Sequence, residues 1–213
     1  MSGGFIVSII IVLIYLYSDL KDEWKSVLFQ LSIGYMVNFL FYITQIYIPN
    51  FRRDNIIRQQ IGYRIRKITD RMDSLITKLA EIYIDNHNEG EYTEEELMYL
   101  LRVNFNDKIL CLNSSRTTTD KLVYFNVREW IKKCITETDE DIDKLFKYYG
   151  GDINIEITEV LENILKSSMH TSMKVFLTMP GEISFKKCDV NVFEKYYKIT
   201  LRLKTLNKKY YNM

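Results

Sequence analysis

The chain has few of the residues that cross-link or interrupt a fold. Its three cysteines, Cys111, Cys134 and Cys188, lie far apart and form no CxxC pair. An odd number of scattered cysteines does not indicate a disulfide framework, so we expect reduced thiols in a cytosolic compartment. Only two prolines occur in 213 residues. This scarcity favours helices, because proline interrupts them.

Signatures of the common enzyme classes are also missing. The chain contains no GxxxxGK[ST], GxGxxG, HExxH or GxSxG pattern, and its two histidines and three cysteines have no short metal-ligand spacing. The acidic run between Glu137 and Asp143 is typical of a solvated helix face. With 29 basic and 28 acidic residues the net charge is +1, which gives no sign of nucleic-acid binding. We therefore predict a protein that is not an enzyme, carries no metal or cofactor and does not bind DNA directly.

Charge is absent from two N-terminal stretches. Residues 1–17 and 27–51 contain no Asp, Glu, Lys or Arg, whereas the chain is densely charged from Arg52 onward. Residues 27–48 are long enough to cross a bilayer as a helix, which Pro49 is expected to close. The first stretch, about 4–18, is short for a span, but it lacks the basic start and the cleavage site of a secretory signal. The sequence thus predicts a transmembrane hairpin in residues 1–50.

Basic residues follow the second predicted span. Because basic residues are retained on the cytoplasmic side, they place the rest of the chain in the cytoplasm, and a hairpin returns the N-terminus there too. We therefore expect a two-span protein of the cell (inner) membrane with both termini cytoplasmic. The same residues are candidates to contact anionic lipid head groups of the bilayer. They are Arg52, Arg53, Arg58, Arg64, Arg66 and Lys67.

Four residues of the second span are polar or small and recur on one helical face. These are Gln30, Gly34, Asn38 and Gln45, called here the amide face. Such a face is unsuited to lipid. One interpretation is helix–helix packing, in which Gly34 permits close approach and the amides form hydrogen bonds. The other is that several copies turn this face toward a water-filled path.

A heptad pattern follows the second span in residues 51–86, which we interpret as a basic amphipathic stalk. Its apolar residues alternate at spacings of four and three, as in a coiled coil, and the mixture of Ile and Leu fits trimers or tetramers as well as dimers. The pattern favours a homo-oligomer. The alternative is that the helix packs on the cytoplasmic domain of its own chain. The apolar seam consists of Ile61, Ile65, Ile68, Met72, Leu75, Leu79 and Ile82.

Residues 91–213 are predicted to form a cytoplasmic helical bundle. Capping boxes at Thr93 with Glu96 and at Asn126 with Glu129 each start a helix, and the second helix runs to Gly150. Apolar spacing predicts a third helix over about 157–176 and a last one that begins near Asn191. Two short apolar runs, 109–112 and 122–125, are interpreted as brief strands or helix ends. The fold class predicted for the whole chain is all-α.

A hydroxyl-rich loop within this domain is the best ligand candidate. It combines hydroxyl donors with two cations, which is the chemistry that a phosphate needs. A nucleotide-type ligand is therefore one expectation, and an ordinary connecting loop is the alternative, because no glycine pattern supports phosphate binding. The candidate residues are Ser114, Ser115, Arg116, Thr117 and Lys121.

The predicted order of parts is a two-helix membrane hairpin, a basic stalk and a small cytosolic helical domain. This architecture resembles the two-span effector proteins of bacterial anti-phage systems, such as those of retrons, CBASS operons and type III CRISPR loci. The resemblance implies a cytosolic domain that senses a trigger, in some cases a cyclic nucleotide, and a membrane part that depolarises or permeabilises the cell. The expected function is thus an oligomeric membrane effector, and the alternative is a non-conducting tether that recruits a protein partner.

Overall fold

The computed structural model of the protein describes residues 6, 9–14, 22–84, 92–118, 121–178 and 191–212. It consists mostly of helices and divides into two compact units, Met1–Ile56 and Ile57–Met213. The first predicted span falls largely on residues outside the described ones, as do the predicted turns at 86–90 and at Pro180.

The first unit contains the apolar helices. Residues 9–14 are helical, and helix α1 covers Asp22–Tyr42. A π-helical turn, Ile43–Tyr47, joins α1 directly to helix α2, Ile48–Tyr83. Ser26–Tyr83 is therefore one uninterrupted helix of 58 residues, and its N-terminal part is long and apolar enough to cross a membrane.

Pro49 does not close this helix, contrary to the sequence-based expectation. Proline lacks a backbone N–H, and its ring clashes with the carbonyl four residues earlier, here that of Gln45. The π-helical turn lies at this point, and the N–H of Ile48 bonds to the carbonyl of Ile43, one residue further back than in an α-helix. The wider turn gives the proline ring room. The helix consequently passes through Pro49.

Helix α2 supplies much of the core of the second unit. Six of the seven residues of the apolar seam are completely buried within the single chain, and Ile82 is partly buried. Within the single chain the seam therefore packs on the protein's own domain, which is the alternative that the sequence left open, and a seam between copies stays a prediction. A period of 3.5 residues shows that one stripe is buried, but not which chain covers it.

The next elements follow the predicted order. Helix α3, Glu94–Tyr99, starts at the predicted Thr93–Glu96 capping box and continues as a 3-10 turn, Leu100–Arg102. Strands β1, Lys108–Leu112, and β2, Tyr124–Asn126, pair antiparallel, with Lys108 opposite Asn126. The two apolar runs are thus strands. Helix α4, Val127–Tyr149, starts at the predicted Asn126–Glu129 capping box.

The predicted third helix is two helices. Helix α5 covers Ile155–Lys166 and helix α6 covers Ser168–Thr178, with Ser167 in an extended conformation between them. The Ser167 hydroxyl donates to the carbonyl of Ile164 and accepts from the N–H of His170. One serine thereby ends the first helix and caps the second.

Helix α7, Val192–Tyr211, closes the domain. It begins where predicted, but the Asn191 side chain does not form the expected cap bond, and the helix includes the Lys- and Tyr-rich tail. α7 packs on α3 and α5, and α4 packs on α6 and on both strands. The second unit is therefore helical with one small two-stranded sheet, rather than purely helical.

Candidate functional site

A groove lies between the loop that joins the two strands and the first half of α4. Its volume is about 560 Å³. The loop contributes Asn113, Ser115 and Arg116, and β2 contributes Phe125. Because the residues of α4 recur every four positions, consecutive turns of the helix face the same groove. The α4 residues in the lining are Arg128, Glu129, Lys132, Lys133, Thr136 and Glu137.

This basic groove carries an excess of positive charge. Four cationic side chains line it, against two carboxylates. Both carboxylates already have cationic partners: Glu129 accepts from Arg116 at 2.5 Å, and Glu137 forms an ion pair with Arg71 of α2 at 3.0 Å. Lys132 and Lys133 are exposed and form no ion pair with a carboxylate of the described residues. The groove is therefore suited to an anion.

Only part of the predicted ligand loop reaches the groove. Ser115 and Arg116 line it, whereas the Thr117 hydroxyl bonds to the backbone of Val123 and so holds the two sides of the loop together. Lys121 pairs through its backbone with Thr118. Ser114 is exposed and is not in the groove lining. Thr117 and Lys121 thus shape the loop.

The cations of α4 were missed from the sequence. The apolar spacing of α4 predicts an amphipathic helix that packs in the core. Its cations Arg128, Lys132 and Lys133 come beside Arg116 only in the folded structure. Comparison of the chain with protein-family models, curated proteins and solved structures finds no match. What the groove can bind is therefore inferred from its own geometry.

A second charged cluster lies between α2 and α4. The Asp141 side chain is 7% exposed and receives three cations: Arg71 at 3.0 Å, Lys67 at 3.6 Å and Arg64 at 4.0 Å. Arg71 also forms an ion pair with Glu137 at 3.0 Å. This Asp141 cluster links α2, which continues from the apolar segment, to α4, which lines the groove.

The predicted membrane-proximal basic residues divide into two groups. Arg52, Arg53 and Arg58 are exposed and remain candidates for lipid head groups. Arg64 and Lys67 are bound to Asp141 instead. Arg66, although exposed, pairs with Asp70 one turn away on α2. Three of the six residues therefore pair with carboxylates of the domain or of their own helix, and Arg53 also contacts its neighbour Asp54 at 3.5 Å.

The amide face is exposed along its whole length. Gln30, Gly34, Asn38 and Gln45 are all open in the single chain. The opposite face of α1 is the one that is covered: Ser32 is 1% exposed, and its hydroxyl donates to the carbonyl of Leu28. At about 100° per residue, Ser32 lies nearly opposite the amide face. Intrachain packing therefore leaves the amides without a covering helix among the described residues.

A buried histidine occupies the centre of the helical domain. His170 is completely buried, and its Nδ1 forms a hydrogen bond with Asp139 Oδ1 at 3.0 Å. Lys174 binds the other Asp139 oxygen at 2.6 Å. Burial disfavours the Asp139 carboxylate, but the hydrogen bonds from His170 and Lys174 outweigh it, so the pKa of Asp139 is lowered. Since no solvent reaches His170, the arrangement acts as a structural clamp between α4 and α6.

The described residues include no evident cluster of metal ligands and one deeply buried thiol. No group of three His, Cys, Asp or Glu side chains comes together there in a way that could hold a metal ion. Burial raises the pKa of the Cys134 thiol to about 12, so this cysteine is a core residue without a reactive thiolate. Tyr83, whose hydroxyl donates to Asp107, has its pKa raised to about 12 for the same main reason.

The Asp139 clamp leads to a prediction about pH. A carboxyl whose pKa is lowered on folding stabilises the fold above its unfolded pKa of about 3.9, and this contribution is lost as pH falls through the lower, folded-state pKa. We expect Asp139→Asn to cost about 1–2 kcal/mol at pH 7. Thermal unfolding of the two proteins between pH 7 and pH 3 should show the difference shrinking below about pH 4. Exposed Asp143→Asn is the control, and a gap that widens toward acid pH would contradict the assignment.

Proposed function

We propose that the protein is a membrane-anchored oligomeric effector. Its helical domain receives a ligand or partner signal, and its apolar helices associate in the bilayer and perturb or permeabilise it. The observation that carries this proposal is the exposed amide face on a helical segment, residues 27–51, that contains no charged side chain. Lipid tails offer amides no hydrogen-bond partner, so such a face is stabilised by another protein helix or by water.

The continuous helix supports a functional link between the two parts. The helix that contains the amide face continues to Tyr83, and its C-terminal half carries the core residues of the domain. Ligand-induced movement of α2 within the domain would therefore act on the same helix that enters the membrane. A role in anti-phage defence is part of this proposal and rests on the resemblance of the architecture alone.

The proposed topology has two spans in the cell membrane and both termini in the cytoplasm. The exposed cations Arg52, Arg53 and Arg58 support this orientation, because they follow the apolar segment directly and no described core contact holds them. Each such residue near an anionic surface contributes about 1 kcal/mol to membrane attachment.

A non-conducting tether is the second candidate. The observation that favours it is the burial of the apolar seam within one chain, which removes the coiled coil that would have held several copies together. In this case the basic groove would bind an acidic partner, and the amide face would serve only to pair anchors.

Inducible expression in bacteria tests the proposal. We expect wild-type protein to depolarise the membrane and Asn38→Leu, Gln45→Leu to lose this effect at a matched membrane level, because two amides of the exposed face are removed. Membrane potential is measured with a voltage-sensitive dye. Chemical cross-linking of the membranes counts the associated copies.

The control is Ser32→Ala, which removes a polar group from the covered face of the same helix. It should leave depolarisation unchanged. Cross-linked oligomers without depolarisation in any variant would favour the tether. Monomers in every variant would contradict the proposed use of the amide face.

A further inference from the structure

The basic groove has the properties of a built anion site. Its two carboxylates are engaged by Arg116 and Arg71, so Lys132 and Lys133 contribute positive charge that the groove itself does not neutralise. The Thr136 hydroxyl lies in the same lining, as does Ser115, whose own hydroxyl donates to Asn113 Oδ1 at 2.7 Å. Ammonium groups together with hydroxyl donors are the side chains that bind phosphate oxygens.

Backbone groups do not provide the site. Although α4 begins beside the groove, its first N–H groups are already used: Val127 donates to Asp107, Arg128 to Phe105 and Glu129 to the Asn126 side chain. An anion would therefore be held by side chains. Such a site favours compact anions of high charge and is sensitive to salt.

We infer that the groove binds a phosphate-bearing anion. That this anion is the signal received by the domain rests on the proposed function. Binding of the anion to the groove does not require the membrane part to act. Phe125 is 8% exposed, so the groove offers no aromatic face on which a base could stack. Recognition is thus directed at the phosphate.

Glu137 connects the groove to α2. Its carboxylate lines the groove and forms an ion pair with Arg71, which also binds Asp141. An anion placed beside Glu137 repels that carboxylate and attracts Arg71, so it weakens the pair that joins α4 to α2. Binding therefore acts directly on the contact between the groove helix and the helix that continues into the apolar segment.

Trp130 is a built-in reporter of binding. The chain has two tryptophans, so Trp24→Phe leaves Trp130 as the only tryptophan. The Trp130 ring packs edge-on against Phe125 of the groove lining at 5.6 Å, and the Lys133 ammonium lies 5.7 Å from its centre. An anion that draws Lys133 into the groove changes this contact, and with it the fluorescence.

The test is a titration of the full-length Trp24→Phe protein, in detergent, with sodium phosphate and pyrophosphate at constant ionic strength. We expect a saturable change, with pyrophosphate binding more tightly than phosphate. Lys132→Gln, Lys133→Gln should weaken binding by at least about tenfold, whereas Glu137→Gln should strengthen it. Lys144→Gln, Lys147→Gln on the same helix is the matched control and should bind normally.

Absence of saturation with both anions, or an equal loss in the control variant, would overturn the inference. The phosphate source is distinguished in nanodiscs: a lipid head group in the groove would block pyrophosphate in phosphatidylglycerol discs but not in phosphatidylcholine discs, and a soluble ligand would bind in both. Saturable binding by a protein that fails to depolarise cells would retain this inference and reject the effector function.

Discussion

Asp141→Ala is expected to destabilise the helical domain by about 2–4 kcal/mol. Asp141 is nearly buried and receives cations from three turns of α2, so its removal leaves Arg71, only 11% exposed, beside other positive groups. The estimate lies below the full cost of breaking a buried pair, because Lys67 is half exposed and water screens its charge. For a domain of this size the midpoint of thermal unfolding should fall by roughly 10 °C, measured by circular dichroism on the full chain in detergent.

Two further variants show whether the loss of stability belongs to the Asp141 cluster. Asp143→Ala removes an exposed carboxylate from the same helix and should change stability by no more than about 0.5 kcal/mol. Arg71→Met in the Asp141→Ala background should recover part of the loss, because it removes a nearly buried cation that keeps only Glu137 of its two carboxylate partners. Equal midpoints for the two aspartate variants would show that the cluster does not stabilise the domain.

Local signals predicted much of the fold. Both capping boxes form as expected, because each needs only an Asn or Thr and a Glu three residues later. The end of α4 at Gly150 and the burial of the seam also follow from patterns along one helix. Such features depend on neighbours in sequence, which the sequence displays directly.

Features that depend on distant or competing contacts were not predictable in this way. The break at Ser167 was missed, because apolar spacing continues across it and only the hydroxyl bonds to Ile164 and His170 reveal it. Pro49 was expected to end a helix, but a single wide turn accommodates it. In both cases a hydrogen-bond arrangement that the sequence pattern does not display overrides the expectation from apolar spacing or from proline.

The candidate site shows the same division. Its loop half, Ser115 and Arg116, was identified from composition, because hydroxyl and cationic residues cluster there in sequence. Its helix half was not, since Lys132 and Lys133 are separated from the loop by a strand and are surrounded by core positions. Charge complementarity across a groove exists only after folding, so sequence reasoning identified one side of the site.

Leu75→Ala is expected to cost about 3 kcal/mol, because Leu75 is completely buried in the core formed by α2. Its removal leaves a cavity among rigid neighbours, and the midpoint of thermal unfolding should fall by roughly 10 °C. Chemical cross-linking of the same protein in membranes should give an unchanged distribution of oligomers, since the seam contacts its own chain. Tyr63→Ala, at a position on the same helix that is 60% exposed, is the control and should change neither measurement appreciably.

The two measurements together decide which chain covers the seam. In a seam between copies, Leu75→Ala would remove cross-linked oligomers, and the midpoint would depend on protein concentration. In a seam within one chain, unfolding is independent of concentration, and any oligomer depends on the amide face of α1. Loss of oligomers in Leu75→Ala with an unchanged midpoint would contradict the fold described here. Loss of stability with intact oligomers would leave Asn38 and its neighbours as the contact between copies.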